Sequence, residues 1–241
     1  MIRLVNGEPA PLALGSWALH GYTAFTVLRV ESGLPVLLER HLERLRRHAG
    51  AIGLAWPGDE AIEADLRRLV TLGPRLLARL AVGDGARLAE ARPLVPPSAA
   101  DYDAGVNAVF TGIRVHPDLG RWKTGNFLPC RLAMEAARRE GAFEGLLVDS
   151  EGHVVDGSRT SPLLYRNGVL TVLEGGLEGI TREEVADEAA RMGLEVRRAP
   201  MKREALDGQL LLAGTGVGLV PVGLPIEEPL RSLIARFRLD R

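Results

Sequence analysis

The stretch "RPLVPPSAADYDAG", residues 92–105, interrupts an otherwise steady succession of apolar runs. Its prolines withhold backbone donors and fix φ, so an unbroken strand or helix does not pass through it. It reads as a linker or long interdomain loop and divides the 241-residue chain unequally. The division expected is a smaller N-terminal domain over 1–97, a loop over 98–105 and a larger C-terminal domain over 106–241. The length is enough for either one large core or two modest ones.

The first part opens with "FTVLRV" and "LPVLLE", two strand-like runs joined by Glu31-Ser32-Gly33, a hairpin signal. A helix follows, with Leu42, Leu45, Ala49 and Ile52 at helical spacing on its buried face. A second helix is expected from about 60 to 72. "RLLARLAVGDGARLAEARPL" is another hairpin, turning at Asp84-Gly85. The second part begins with the strand "GVNAVFTGIRV" and a helix from about 128 to 140. The strand runs "GLLVD", "HVVDG", "PLLYR" and "GVLTVL" come next, with turns at Ser150-Glu151-Gly152 and Asn167-Gly168. In "EGITREEVADEAARMG", Thr181 and Glu184 have the spacing of a capping box and Gly193 that of a helix stop. A strand "LEVRRA", a short helix near Lys202 and a strand "QLLLA" complete the pattern. Strand pairs alternate irregularly with helices, which predicts an α+β fold in two domains.

Charge excludes one class of partner. A formal net charge of −1 leaves no basic surplus for a nucleic-acid polyanion. No apolar run approaches the roughly 20 residues that span a bilayer. "MIRLVNGEPAPL" has no signal-peptide core, and the single Cys130 fits a reducing compartment, so a cytoplasmic protein is expected.

Four constellations could carry chemistry. "RWKTGNFLPC", residues 121–130, sets Lys123 between Trp122 and a Thr-Gly-Asn turn just ahead of a helix. "RHLERLRRHAG" puts His41, Arg44 and His48 on one stripe beside the apolar one, either as a solvated basic face or with Arg44 forking onto a buried phosphate. The helix start at Ile180 and Thr181 offers free N–H groups to a phosphate. The glycine-rich turn in "LLLAGTGVGLVPV" offers backbone and the Thr215 hydroxyl after Gly214. That turn lacks the helix and spacing of a dinucleotide fingerprint. In "DSEGHVVDGSRTSPLL", Asp156 ends a strand, as a turn former or as the partner of a cationic ring nitrogen. A lysine, a carboxylate and phosphate-capable turns are what a pyridoxal phosphate site requires. No metal is called for.

The order of these segments resembles the class IV pyridoxal-phosphate enzymes, the family of branched-chain and D-amino-acid aminotransferases and 4-amino-4-deoxychorismate lyase. "FTVLRVESGLPVLLERHLERL" is similar to the family's N-terminal hairpin, its phosphate-binding arginine falling on Arg44. "KTGNFLPCRLAMEAARREGAFEGLLVD" is similar to its catalytic-lysine segment, "GLEGITREEV" to its phosphate-binding helix start and "LLLAGTGVGLVPV" to its last phosphate turn. The resemblance implies the fold type IV, D-amino-acid-aminotransferase-like architecture and pyridoxal 5'-phosphate as cofactor. It implies Lys123 as Schiff-base lysine, Asp156 as partner of the ring nitrogen, and Arg44, Ile180, Thr181, Gly214 and Thr215 around the phosphate. It also implies a homodimer acting on a small amine.

"GYTAFTVLRV" and "WKTGNFLP" look closest to the lyase, which forms 4-aminobenzoate and pyruvate in folate synthesis. An aminotransferase for branched-chain or D-amino acids and a non-catalytic binding protein are the alternatives. Arg114 is a candidate for the substrate carboxylate. Two positions depart from the family pattern. Asp156 stands where Glu is usual, and Ser161 where Asn is usual, so hydrogen bonding around them must differ.

Overall fold

The computed structural model describes residues 20–224 and 226–240, with the backbone of a short pairing between Leu4–Val5 and Glu8–Pro9. The stretch read above for a leader otherwise lies outside the described residues. The first region is an antiparallel sheet in the order β2 (Leu34–Pro35), β1 (Thr23–Glu31), β3 (Arg75–Gly83), β4 (Ala86–Pro93). Side chains alternate across such a sheet. Ala24, Thr26, Leu28 and Val30, all fully buried, therefore face one way. There they meet Leu42, Leu45 and Ala49 of α1 (Leu38–Ala51) and Ile62 and Leu66 of α2 (Asp59–Val70). The opposite face, with Phe25, Val27, Leu77 and Arg79, is turned to the rest of the molecule.

One expected hairpin arm is short. Only Leu34–Pro35 pairs with β1, because Leu37 turns into the left-handed region, φ 56°, and α1 begins at Leu38. The long partner of β1 is β3, paired over the whole run from Thr23↔Gly83 to Glu31↔Arg75. The positive φ values at Ser32 (52°) and Gly33 (76°) nevertheless make the tight turn.

The span 98–105, expected to be a loop, contains a helical turn, Ala99–Asp103. Ser98 and Asp101 cap it reciprocally, and Tyr102 is buried. Beyond it stand two sheets. One has three strands, β5 (Ala108–Arg114), β6 (Glu144–Val148) and β7 (Val154–Gly157). In the other the order is β10 (Glu195–Ala199), β9 (Val169–Leu173), β8 (Ser161–Arg166), β11 (Gln209–Gly214), β12 (Gly218–Pro221). Two pairs are parallel, β5 with β6 and β9 with β10. Each is joined through a helix, α3 (Leu128–Arg139) and α4 (Ile180–Arg191), so two βαβ crossovers sit inside what the sequence read as irregular alternation. A closing helix, α5 (Leu230–Phe237), buries Leu230, Leu233 and Ile234 and had no counterpart in the sequence reading. The core of this region gathers Leu146, Leu163, Leu170, Leu211, Leu219 and Leu233. Among the described residues no helix is long and apolar enough to cross a membrane.

Candidate active site

The outward face of β1 and β3 forms one wall of a cavity of about 550 Å³. The turns at Gly179 and Gly214 form the other wall, and Lys123 lies between them. The "KTGN" turn is stitched to the edge of β1. The Phe25 N–H donates to the Lys123 carbonyl at 2.9 Å, and the Gly125 N–H to the Thr23 carbonyl at 2.9 Å. Gly125 is needed there, since a Cβ would come within 2.4 Å of the Gly21 carbonyl oxygen. The Lys123 N–H donates to His48 Nδ1 at 2.9 Å, and the His48 ring packs edge-on against Trp122. Lys123 Nζ lies 4.9 Å from the Phe25 centroid and 4.6 Å from that of Phe127. These contacts aim a lysine that the sequence alone leaves looking ordinary.

Burial lowers the Lys123 pKa, and the nearby Arg44 guanidinium lowers it further. The same lack of water raises the Asp156 carboxyl, while the Lys123 and Arg182 charges and a Ser161 hydrogen bond pull it back. Ser161 Oγ donates to Asp156 Oδ1 at 3.2 Å, and the Gly157 N–H reaches the same oxygen at 3.1 Å. No hydrogen bond to Oδ2 is made among the described residues. Ser161 lines the cavity and Asp156 stands behind that lining, half-buried. The two departures from the family pattern are thus partners.

His41, Arg44 and His48 do not form a solvated face, being 2, 5 and 1% exposed. Arg44 Nη2 donates to the buried Thr26 hydroxyl at 2.9 Å, and that hydroxyl meets His41 Nδ1 at 2.8 Å. The Thr26 hydroxyl thus stands between the Arg44 guanidinium, from which it accepts, and the His41 ring. Burial and the surrounding cations push His41 and His48 each down to about 3. Burial draws Arg44 to about 10, so it remains charged. Among the described residues its Nε is buried without a partner, and Nη1 has only a long contact, 3.4 Å, to the Glu178 carbonyl.

Arg44, Ile180, Thr181, Gly214 and Thr215, scattered over the chain, all line this one cavity together with Lys123. A cation with an orphaned donor, the N-terminus of α4 and a glycine turn match a phosphate ester. A buried amine and a carboxylate match an aldehyde-bearing pyridinium ring. The donor set fits pyridoxal 5'-phosphate. Gly179 sits within this cup because a Cβ there would come within 2.7 Å of Ser161 Oγ.

Two expectations fail. Thr181 is not a helix cap. The helix begins at Ile180 after Gly179, which makes no side-chain cap, and Glu184 pairs instead with Arg40 across the interface between regions. Arg114 is exposed at the end of β5 and absent from the cavity wall, because its strand position turns it to solvent. The arginines that do line the cavity are Arg79, Arg92, Arg131 and Arg159, beside the phosphate-side Arg44 and Arg182. Strand alternation could have flagged Arg79, which shares a face with Leu77. Lys202 is exposed and lies outside the cavity. The sequence reading also missed Glu144. It is fully buried and accepts from the Ser158 N–H at 2.8 Å, from the Ser158 hydroxyl and from Thr160 Oγ1 at 2.7 Å, fixing the loop that carries Arg159. A glutamate at the head of an apolar strand was the available signal.

The class IV amino-transferase family profile matches residues 23–224, and the chain belongs to this family of pyridoxal-phosphate-dependent enzymes. Among solved structures, a protein provisionally assigned as a 4-amino-4-deoxychorismate lyase superposes with a TM-score of 0.95 and is 58% identical over 99% of both chains. The 4-amino-4-deoxychorismate lyase of Pseudomonas aeruginosa superposes at 0.83 and is 25% identical over 98% of both chains. A protein of Methanocaldococcus jannaschii provisionally assigned as a branched-chain-amino-acid aminotransferase is 28% identical, with 85% of this chain and 78% of that protein covered. The chain is thus a pyridoxal-phosphate enzyme of the lyase or aminotransferase kind, acting on a small molecule.

Proposed function

We propose that this chain is a 4-amino-4-deoxychorismate lyase, releasing 4-aminobenzoate and pyruvate, and that it works as a cytoplasmic homodimer within folate synthesis. The observation that carries the reading is the set of arginines around the cavity, Arg79, Arg92, Arg131 and Arg159, which suits a substrate with two carboxylates better than an aliphatic amino acid. The similarity to a lyase-assigned structure supports it.

Pyridoxal phosphate, when bound, supplies the sink for the electrons left on the substrate carbon. Arg44, Ile180, Thr181, Gly214 and Thr215 would hold its phosphate, and Asp156 would keep the ring nitrogen protonated. Lys123 would bond to its aldehyde. When not bonded there, Lys123 Nζ would act as the base that takes the proton from the substrate's amine-bearing carbon. Its lowered pKa makes a neutral, basic amine accessible nearer physiological pH. Phe25 and Phe127 flank the amine and limit access of water.

Elimination of pyruvate returns the enzyme to its starting form, whereas transamination requires an oxo-acid acceptor. Purified protein given aminodeoxychorismate alone is therefore expected to release 4-aminobenzoate over many turnovers. Leucine, D-alanine or glutamate should convert little of the cofactor to its amino form. Rapid conversion by one of these, without 4-aminobenzoate, makes the protein an aminotransferase, as its branched-chain relatives are named. Inertness in both assays with cofactor bound makes it a binding protein.

A further inference from the structure

We propose that Arg79 is the specificity residue of this cavity, receiving a carboxylate of the substrate at the Phe25 end. The inference rests on the reading of the site as one for an anionic substrate and names the side chain that recognises the acid group.

Arg79 sits at the middle of β3, between Val27 of β1 and Glu90 of β4 in register. Alternation along β3 sends it to the same face as Leu77, the face that lines the cavity. Its guanidinium carbon lies 4.1 Å from the Phe25 centroid. Lys123 Nζ lies 4.9 Å from that same centroid, so one ring supports both the reacting amine and this cation. Stacking on an aromatic face fixes the guanidinium plane while leaving its edge donors free to fork onto a carboxylate.

Its satisfaction is incomplete. Among the described residues Arg79 Nε is buried with no hydrogen-bond partner. Its one acidic neighbour, Glu90, is 3.8 Å away, beyond hydrogen-bond reach, and largely exposed. The other arginines of the wall differ. Arg131 is paired with Glu135 at 2.8 Å and is mostly exposed. Arg159 donates to the Phe143 carbonyl at 3.1 Å and rests on the Phe143 ring. Arg92 is exposed at the end of its strand. Arg79 alone of the four combines a buried orphaned donor, a fixed plane and a ring shared with Lys123. A carboxylate there would satisfy Nε and an Nη donor together, while the substrate's amine-bearing carbon reaches Lys123.

The test uses the holoenzyme and two ligands of one shape, 4-aminobenzoate and its uncharged amide, 4-aminobenzamide. Binding is followed calorimetrically for wild type, Arg79→Gln and Arg79→Lys. Arg79→Gln should weaken 4-aminobenzoate by about tenfold or more, the scale of a lost charge-assisted pair, and leave the amide within about twofold. Arg79→Lys, which keeps the charge without the fork, should fall between, and it carries the test alone if the Gln variant does not fold. In turnover, KM should rise about tenfold with kcat within about threefold, because a distal carboxylate is held equally in ground and transition states. Unchanged 4-aminobenzoate binding, equal weakening of acid and amide, or no binding to wild type would each overturn the proposal. Failure of wild type to make 4-aminobenzoate removes the lyase assignment and leaves the acid–amide comparison to decide Arg79 by itself.

Discussion

The two walls of the cavity offer a ligand different means of attachment. From the first region come side chains with full charge or large rings, Arg44, Arg79 and Phe25, carried on a helix and a sheet. From the second come backbone N–H groups at Ile180 and around Gly214, beside the Arg131, Arg159 and Arg182 side chains, with the Asp156 carboxylate behind Ser161. Rigid charged side chains give strong attraction, and Arg44 bears the cost of burial to do so. Backbone turns cannot be replaced by mutation, only blocked by an added side chain. Affinity on the first wall should depend on residue type, and at the Gly179 and Gly214 turns of the second it should depend also on the absence of side-chain atoms.

The largest expected effect belongs to neither wall. Lys123→Ala should lower turnover by at least about 10³-fold while the protein stays folded, as loss of a positioned base does. Peptide mapping after borohydride reduction in the wild type should find the cofactor label on Lys123, and a label elsewhere removes the lysine from the centre of the comparison. Asp156→Asn should lower turnover by about 10²-fold with cofactor still bound, the scale of one lost charge interaction at a reacting centre. An unchanged rate shows that the second wall supplies no acid to the ring. Arg44→Ala should weaken cofactor binding by about 1.5–3 kcal/mol, measured by titrating the apoenzyme. Gly179→Ala probes the opposite wall by crowding Ser161, and should weaken cofactor binding by about 1 kcal/mol with thermal stability little changed. If Gly179→Ala costs more than Arg44→Ala, the backbone wall dominates.

The remaining effect is a pH dependence seated in the first region, read on stability and not on turnover or cofactor binding. His41 and His48 are held neutral when folded, each with its pKa near 3, and titrate near 6.5 when unfolded. Between those values the unfolded chain binds more protons, so stability rises with pH there and is lost as pH falls below about 6.5. Each imidazole adds a slope of about 1.4 kcal/mol per pH unit at most. Denaturant midpoints of wild type and His48→Gln between pH 4 and 7 should differ in slope by up to that amount. Parallel curves would place the acid sensitivity outside the first region.

What the sequence disclosed divides along the same line. That Arg44, Lys123 and the two glycine-bearing turns share one cavity could be anticipated from the order of the segments, which resembles the family, although residue type and local spacing left each of them looking ordinary. The buried state of His41 and His48 was not legible, since helical periodicity shows only that they flank the apolar stripe. What covers them, the Lys123 segment and the second region, comes from more than 70 residues away. Thr181 was misread for a similar reason: Ser/Thr-x-x-Glu spacing is local, but Arg40 from another element claims Glu184. Arg114 was named and Arg79 passed over, though both are strand arginines, because only the pairing of sheets decides which face meets the cavity. The parallel pairs were hidden since crossover partners are set by tertiary packing.

The stitching of the Lys123 turn to β1 has a consequence for assembly. By chain position this lysine belongs with the second region, yet the groups that hold it, Thr23, Phe25 and His48, belong to the first. Its reactive amine therefore acquires its character only where the two regions meet. In an unfolded chain Lys123 is a solvated ammonium with an ordinary affinity for protons. In the folded chain burial and the nearby Arg44 lower that affinity, so a neutral amine is more readily populated. Chemical competence is thus a property of the folded chain as a whole and of neither region by itself.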